Sequence, residues 1–493
     1  MRSLALAGRS TTWGIRGAVR RVRANWPGWL VVAALLVAAG RYLALVDRFS
    51  VDILFWDQWG LAEPIGAGAG PLDLFLTQHG PYRRGLGGLL TAAIYAATRW
   101  NVRAEAFAIG VIVSCAAAVF LLARRRLGGR LRMDDLAIPL ACLSPATHEL
   151  FVATPDPAYA ALPLLFLALL ALAWPAPKRR WTVFAFPVLL VLAAFTGYGV
   201  FAALAAVAVL AVQALAAARV GRWRSVLVPA AMVAVGLAAF GLYAIGYHFN
   251  AAVNDFRFPD PEVWRYPVLV LLAAGTFFGA RSLVAEGVPG DPVDLAIGVT
   301  LGAIVLIAAA VVATRHLCHV VRRGGVDTAR SAVIVVCVLT PALFLANMAI
   351  GRVSLGVWNA MSSRYVLFVA PLVVALAMHS SRGGSRRVRV GRIGLVVAVV
   401  FATVWIRPPD RAALQWCHRM KQVWARTYLE TGSIAEATRR AGYPIYPRPE
   451  ETHLEMKLQF LRERRLSFFR LLPTQAPPSG GLPADSLPSD NRQ

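Results

Sequence analysis

The chain has 493 residues, 58% of them hydrophobic and 16% charged, with a formal net charge of +25. Soluble domains carry about 25% charged residues, and apolar runs long enough to cross a bilayer recur along most of this chain. A soluble fold is therefore excluded, as is a β-barrel, whose strands would read as short alternating segments; the class expected is an all-α polytopic membrane protein of roughly ten to twelve transmembrane helices.

The arginines fall between apolar runs. RGAVRRVR (16–23), ARRRLGGRLR (123–132), PKRR (177–180), RVGRWR (219–224), VVRRGG (320–325) and SRRVRVGR (385–392) read as cytoplasmic loops beside anionic lipid, and not as a nucleic-acid surface. Five cysteines form no C-x-x-C pair, so they are expected to be inert packing residues rather than a disulfide or zinc framework.

In chain order, a basic cytoplasmic tail (1–26) leads to a first span at 28–46, too long for a cleaved signal sequence. A long external segment (47–104) follows, with a short apolar stretch at 85–97 that reads as interfacial. Further spans are expected at 105–123, 135–147, 160–174, 182–195, 200–218 and 225–245. A second long external segment covers 247–267. Counting 268–283 as a crossing would put VVRRGG on the outer side, so that stretch is expected to be a re-entrant or interfacial hairpin. Spans at 292–314, 330–349, 365–379 and 392–406 complete the membrane part (27–406). Residues 407–471 read as a small extracytoplasmic helical region. SIAE (433–436) is a capping box there, and Leu454, Leu458 and Leu461 mark an amphipathic helix. The Pro/Ser/Gly-rich end, 472–493, is expected to be disordered.

The polar residues of interest lie in the external segments. DILFWDQW (52–59) carries two aspartates five apart. Five residues of helix turn a side chain about 140° after a full turn, and an odd separation in a strand points to opposite faces. Asp52 and Asp57 thus diverge and do not form a ready dyad. Asp57, between Trp56 and Trp59, is the candidate base, the tryptophans lowering the local dielectric and raising its pKa. Asp52 is left a supporting role. The competing reading has Asp57 capping a helix or pairing with Arg83. The tryptophans themselves suit an interfacial belt.

QHGPYRRG (78–85) places His79, Tyr82, Arg83 and Arg84 within reach of one phosphate; the alternative is anchoring to lipid headgroups. THEL (147–150) puts His148 and Glu149 at an outer span end, where Glu149 joins Asp57 as a second catalytic candidate. SSRY (362–365) brings Arg364 and Tyr365 to the outer side, where the positive-inside rule does not explain an arginine and binding of a lipid phosphate does; snorkelling to the interface is the alternative.

DILFWDQW after the first span, QHGPYRR and the late SRY together resemble the GT-C superfamily of integral-membrane glycosyltransferases, which includes mannosyl-, arabinosyl- and aminoarabinose transferases. The resemblance implies a GT-C-type fold with a large first external loop bearing interfacial helices. It also implies a polyprenyl-phosphate-linked sugar as donor and an envelope glycan, lipid or protein as acceptor, at the outer face of a bacterial cytoplasmic membrane. By that resemblance Asp57 would be the base of an inverting displacement, and Arg364 with Arg83 or Arg84 would hold the departing phosphate. A divalent cation, Mg²⁺ or Mn²⁺, stays open, with Asp57 and Glu149 as its ligands if one is held. The D-E pair common in the superfamily is absent. A multi-pass transporter or lipid flippase, or a non-catalytic envelope-assembly protein, are the alternative readings. A transporter would place its ionisable residues at mid-membrane on broken helices.

Overall fold

The computed structural model describes residues 4–175, 180–249, 256–279, 292–324, 328–380 and 386–471. These residues are almost entirely helical. The first helix, α1 (Leu4–Phe49), is continuous through Pro27, so the basic tail is a helical extension of the first span with no break at residue 26. Alanine and arginine are strong helix formers, which sustains the helix beyond the apolar run. The external segment then holds α2 (Gln58–Gly66), α3 (Pro71–Leu76), a tiny hairpin of β1 (Gln78–His79) and β2 (Tyr82–Arg83), and α4 (Leu86–Thr98). In the hairpin Gln78 faces Arg83 and His79 faces Tyr82. At 13 residues α4 spans only about 20 Å, too short to cross.

The bundle continues with α5 (Val102–Gly128), α6 (Ala137–Cys142), α7 (Glu149–Val152), α8 (Ala161–Ala173), α9 (Arg180–Phe195), α10 (Gly199–Arg219) and α11 (Trp223–Ala244). After α12 (Arg265–Gly275) come α13 (Pro292–Arg323), α14 (Ala329–Arg352), α15 (Val366–Ser380) and α16 (Arg386–Val404). Seven helices among the described residues are long and apolar enough to cross a membrane; α8, α9 and α15 are shorter apolar helices beside them.

The crossing expected at 135–147 is not a continuous helix. Residues 133–152 form two 3-10 turns alternating with α6 and α7, because Pro145 lacks the amide that would carry α6 forward and Ser144 caps a new turn. Residues 268–283 hold α12, with 280–283 outside the described residues. At 11 residues α12 does not cross. A Cβ on Gly302 would lie 1.8 Å from the Leu271 carbonyl and one on Gly275 2.2 Å from the Gly298 carbonyl, so α12 runs antiparallel along the first half of α13.

Arg124 pairs with Asp135 at 2.9 Å and Arg392 with Asp134 at 3.5 Å, and Arg126 donates to the Trp174 carbonyl. The arginine-rich connections thus gather at one end of the bundle, while residues 47–101, 148–160 and 352–365 gather at the other. The C-terminal helices α17 (Pro408–Thr431), α18 (Ile434–Ala441) and α19 (Leu454–Glu463) pack on that second end. Half of the predicted capping box is present: Ser433 Oγ accepts from the Glu436 amide, while the Ser433 amide donates to Thr431 Oγ1 and the Glu436 carboxylate turns to Arg439 and Arg440; Leu454, Leu458 and Leu461 are buried. The tail 472–493 lies outside the described residues.

Candidate active site

Residues 50–57 are irregular chain. Ile53, Leu54 and Phe55 are buried apolar anchors, and Gln58 and Trp59 are buried behind them. Between the two, Trp56 has φ 50, a left-handed conformation that costs a bulky L-residue roughly 1–3 kcal/mol. That turn throws Asp57 outward. Its residue is exposed. Although Asp57 occupies the N-cap position of α2, its side chain makes no cap hydrogen bond, and the guanidinium of Arg83 is engaged elsewhere. The carboxylate is therefore left open. The tryptophans do not desolvate it: Trp56 stacks on Tyr443 and Trp59 on Tyr446, at 6.0 and 6.2 Å between ring centroids. They are clamps to the C-terminal region and not a lipid-facing belt.

Asp52 points away from Asp57, although the chain between them is neither helix nor strand. Its Oδ1 accepts the Val102 amide at 2.9 Å, at the start of α5, and its Oδ2 pairs with Arg470. It fastens the loop at both ends.

Three of the four hairpin residues expected to bind phosphate are committed to protein partners. Arg83 is buried and donates from Nε to the Tyr243 carbonyl at 3.1 Å, from Nη1 to Leu76 at 2.5 Å and from Nη2 to Ile245 at 2.5 Å. Arg84 is 1% exposed; it donates to the Leu61 carbonyl and to Thr91, and lies 3.7 Å from Asp156. Tyr82 donates to Asp156 Oδ2 at 2.8 Å. A buried guanidinium must satisfy its donors inside the protein, and these do so by pinning the first external segment to α11 and to the 155–160 loop. Arg83 and Arg84 thus spend most of their donors as struts between segments.

His79 is the exception. Its ring lies edge-on to Tyr82 at 5.9 Å and beside Gly60 of α2, half-buried. Burial holds the imidazole below the ordinary histidine range, against the pull of the Asp57 and Asp156 carboxylates and with help from Arg84. Burial thus favours the neutral imidazole, and His79 lies within the field of Asp57.

Glu149 is built into the SSRY turn. Its Oε2 accepts from Ser362 Oγ at 2.6 Å, Ser363 Oγ at 3.1 Å and the Arg364 amide at 3.1 Å, while Oε1 lies 3.2 Å from Arg364 Nε. Burial alone would raise its carboxyl, but the Arg364 guanidinium, the Ser362 hydroxyl and His148 outweigh it and hold it below the ordinary carboxylate range. A carboxylate so saturated has little capacity left for a proton or a cation, and its contacts hold the Arg364 guanidinium in place. Among the described residues no three His, Cys, Asp or Glu side chains gather as a metal cluster, so a cation on Asp57 would draw its other ligands from substrate oxygens and water.

Arg364 uses its backbone amide and Nε in this network. Its terminal nitrogens make no hydrogen bond to the described residues, and the Asp57 charge reaches it. Arg352, at the end of α14, stands in the field of Arg364 and of Tyr159, Tyr198 and Tyr365 and, unlike Arg364, has no ion pair among the described residues. Both arginines lie away from the basic end, the signal by which Arg352 could have been singled out from sequence. Tyr365 is buried and reaches Asn359 Oδ1 at 3.3 Å, a supporting contact. Tyr198 also borders a narrow apolar cleft between α8, α10, α14 and α15, lined by Ala160, Leu164, Phe344, Leu367 and Phe368. An open carboxylate, two arginines with free terminal nitrogens and an apolar cleft thus share one end of the bundle.

The chain is an all-α polytopic membrane protein. No protein-family model and no curated protein matches it. Among solved structures it is similar to the crystal structure of ArnT from Cupriavidus metallidurans bound to undecaprenyl phosphate, at 15% identity over 89% of this chain and 77% of that one, with a TM-score of 0.40. At that level of likeness the chemistry rests on the residues above.

Proposed function

We propose that the protein is a membrane glycosyltransferase that moves a sugar from a polyprenyl-phosphate donor to an envelope acceptor at the outer face of the cytoplasmic membrane. The observation that carries this reading is an exposed Asp57 with no cap hydrogen bond at the same end of the bundle as Arg364, which Glu149 holds through Nε and whose terminal nitrogens make no hydrogen bond to the described residues. An amphiphile fits this arrangement. Its phosphate meets Arg364 and Arg352, and the first units of its tail enter the apolar cleft below Tyr198.

In the reaction an acceptor hydroxyl gives its proton to Asp57 as its oxygen bonds to the anomeric carbon. The bond from that carbon to the phosphate oxygen breaks, and the electron pair leaves with polyprenyl phosphate. One displacement inverts the anomeric centre. The arginines stabilise the charge that grows on the leaving phosphate, and Glu149 keeps Arg364 oriented towards it. His79, its neutral form favoured by burial and within the field of Asp57, is placed to hydrogen-bond the acceptor. The resemblance leaves Mg²⁺ or Mn²⁺ open as a further aid at Asp57.

The test is release of polyprenyl phosphate from a panel of polyprenyl-phosphate-linked sugars, with envelope extract as acceptor. Asp57→Asn should lower transfer about a hundredfold or more and leave thermal stability unchanged, since the side chain contacts nothing that holds the fold. Full transfer by that variant would remove Asp57 from the mechanism.

A further inference from the structure

We propose that the C-terminal helical region, residues 416–470, positions Asp57, with Tyr443 and Ile445 as its principal contacts on the loop. The inference rests on the reading of Asp57 as the base.

Phe55, Trp56 and Trp59, on both sides of Asp57, are contacted from this region, while Gln58 between them donates to Glu105 and to the Pro155 carbonyl. The Trp56 amide donates to the Ile445 carbonyl at 2.8 Å, which fixes the left-handed turn directly before Asp57. The Tyr443 ring stacks on Trp56 and touches Phe55, and Trp416 of α17 packs edge-on against Tyr443 from behind at 5.5 Å. Lys421, buried, places its ammonium 4.6 Å from the centre of the Phe55 ring and donates to the Ala153 carbonyl at 2.5 Å; it therefore joins the Asp57 loop to the α7 segment that carries Glu149. On the other side of Asp57, Trp59 stacks on Tyr446, and Lys457 of α19 reaches Glu63 of α2 at 3.1 Å. Arg470 and the Ser467 hydroxyl hold Asp52.

The turn also closes locally, the Gln58 amide donating to the Phe55 carbonyl at 3.1 Å and the Phe55 amide to Gln58 Oε1 at 3.2 Å, but the Trp56 amide finds its partner in Ile445. A non-glycine residue persists in a left-handed conformation only when its surroundings over-determine it, and here the contacts on Trp56 itself, the Ile445 carbonyl and the Tyr443 ring, come from residues nearly 400 positions later in the chain. Tyr443 acts through Trp56 and so is a positioning residue. Loss of its ring should release the turn at Trp56 and let Asp57 wander from the arginines. Misplacement on the scale of an ångström costs about a hundredfold in rate.

The experiment compares Tyr443→Ala and Tyr443→Phe in the full chain by two readouts. Amide hydrogen exchange of the segment 53–60 reports the turn independently of any reaction, with α10 exchange as the control for folding. Transfer kinetics report the base. Tyr443→Ala should speed exchange in 53–60 alone and lower kcat about ten- to hundredfold with little change in KM for the donor; Tyr443→Phe, which keeps the ring, should restore both. Unchanged exchange in Tyr443→Ala would overturn the clamp. Faster exchange with unchanged kcat would overturn positioning. Unaltered transfer by Asp57→Asn would instead defeat the reading of Asp57 as base, and the exchange result would still decide whether the C-terminal region holds the loop.

Discussion

Glu149 shows how one half-buried carboxylate sets the chemistry of a neighbour. It collects two hydroxyls, an amide and a guanidinium from a single turn 213 to 215 positions away. Glu149→Gln keeps the shape and removes the charge, and hydrogen bonds to a charged group are worth about 1.5–3 kcal/mol. The variant should lose roughly 2 kcal/mol of stability, read as a lower unfolding temperature in detergent. The pH dependence has a definite sign. Because the folded carboxyl sits below its ordinary value of 4.5, its stabilisation is complete above about 4.5 and is lost as pH falls through the folded value. The wild type should weaken on acidification through that window, and Glu149→Gln should weaken less. A variant as stable as the wild type, with the same acid profile, would show that the network contributes nothing. At this scale the sequence was partly legible. The five-residue spacing of Asp52 and Asp57 was read through helix and strand geometry, but residues 50–57 are neither, and the two acids diverge because the chain turns at Trp56. The true partners of Glu149, Arg83 and Arg84 come from distant segments, so no local pattern could distinguish a phosphate ligand from a strut.

The elements that wall the site meet through backbone, and a turn between two of them carries the sharpest constraint. The TGYG turn joining α9 to α10 presses on the 155–160 loop and on the hairpin: Gly197, at φ 55, donates its amide to the Arg83 carbonyl at 2.8 Å, and a Cβ there would stand 1.6 Å from the Ala158 carbonyl. Gly197→Ala should cost roughly 3 kcal/mol or more, since backbone must move on both sides. Gly221→Ala is the control. Its φ of 71 is equally left-handed but nothing lies within 4 Å of the added carbon, so it should cost only about 1 kcal/mol. Equal losses of unfolding temperature in the two variants would mean that conformation alone matters and that the close approach is soft. Helical elements were readable where a pattern of side chains defined them, as at α18 and α19, whose cap and leucine spacing are intact. The broken path 133–152 was not, because its apolar content matched a continuous span and only Pro139 and Pro145 interrupt it. The continuity of α1 through Pro27 was missed for the opposite reason: the charge step at residue 26 marks where lipid begins and not where the helix does.

At the scale of the whole molecule, the two ends differ in charge chemistry, and that difference fixes which way the active end should face. The connections at 124–135, 219–224 and 320–324 are crowded with arginine, and moving one such charge across a membrane potential costs about 2.3 kcal/mol per 100 mV. Those connections should stay in the cytoplasm, which puts Asp57, Arg364 and the C-terminal helices outside. That C-terminal region is itself arginine-bearing, with Arg426, Arg439 and Arg440 paired to Glu430 and Glu436 by salt bridges, so its charges are partly neutralised before it crosses. Labelling decides the orientation. Cys142, Cys337 and Cys417 are buried, whereas Cys115 and Cys318 are exposed and are first replaced by serine. A cysteine is then placed at Gly221, in a basic connection, or at Arg439, on the exposed surface of α18. A maleimide that cannot cross the membrane should modify the Arg439→Cys variant in intact cells and reach Gly221→Cys only after lysis. The reverse result would turn the molecule over. Asp57 would then face the cytoplasm, where a donor flipped outward on its lipid carrier could not be used, and the proposed transfer at the outer face would fail with it.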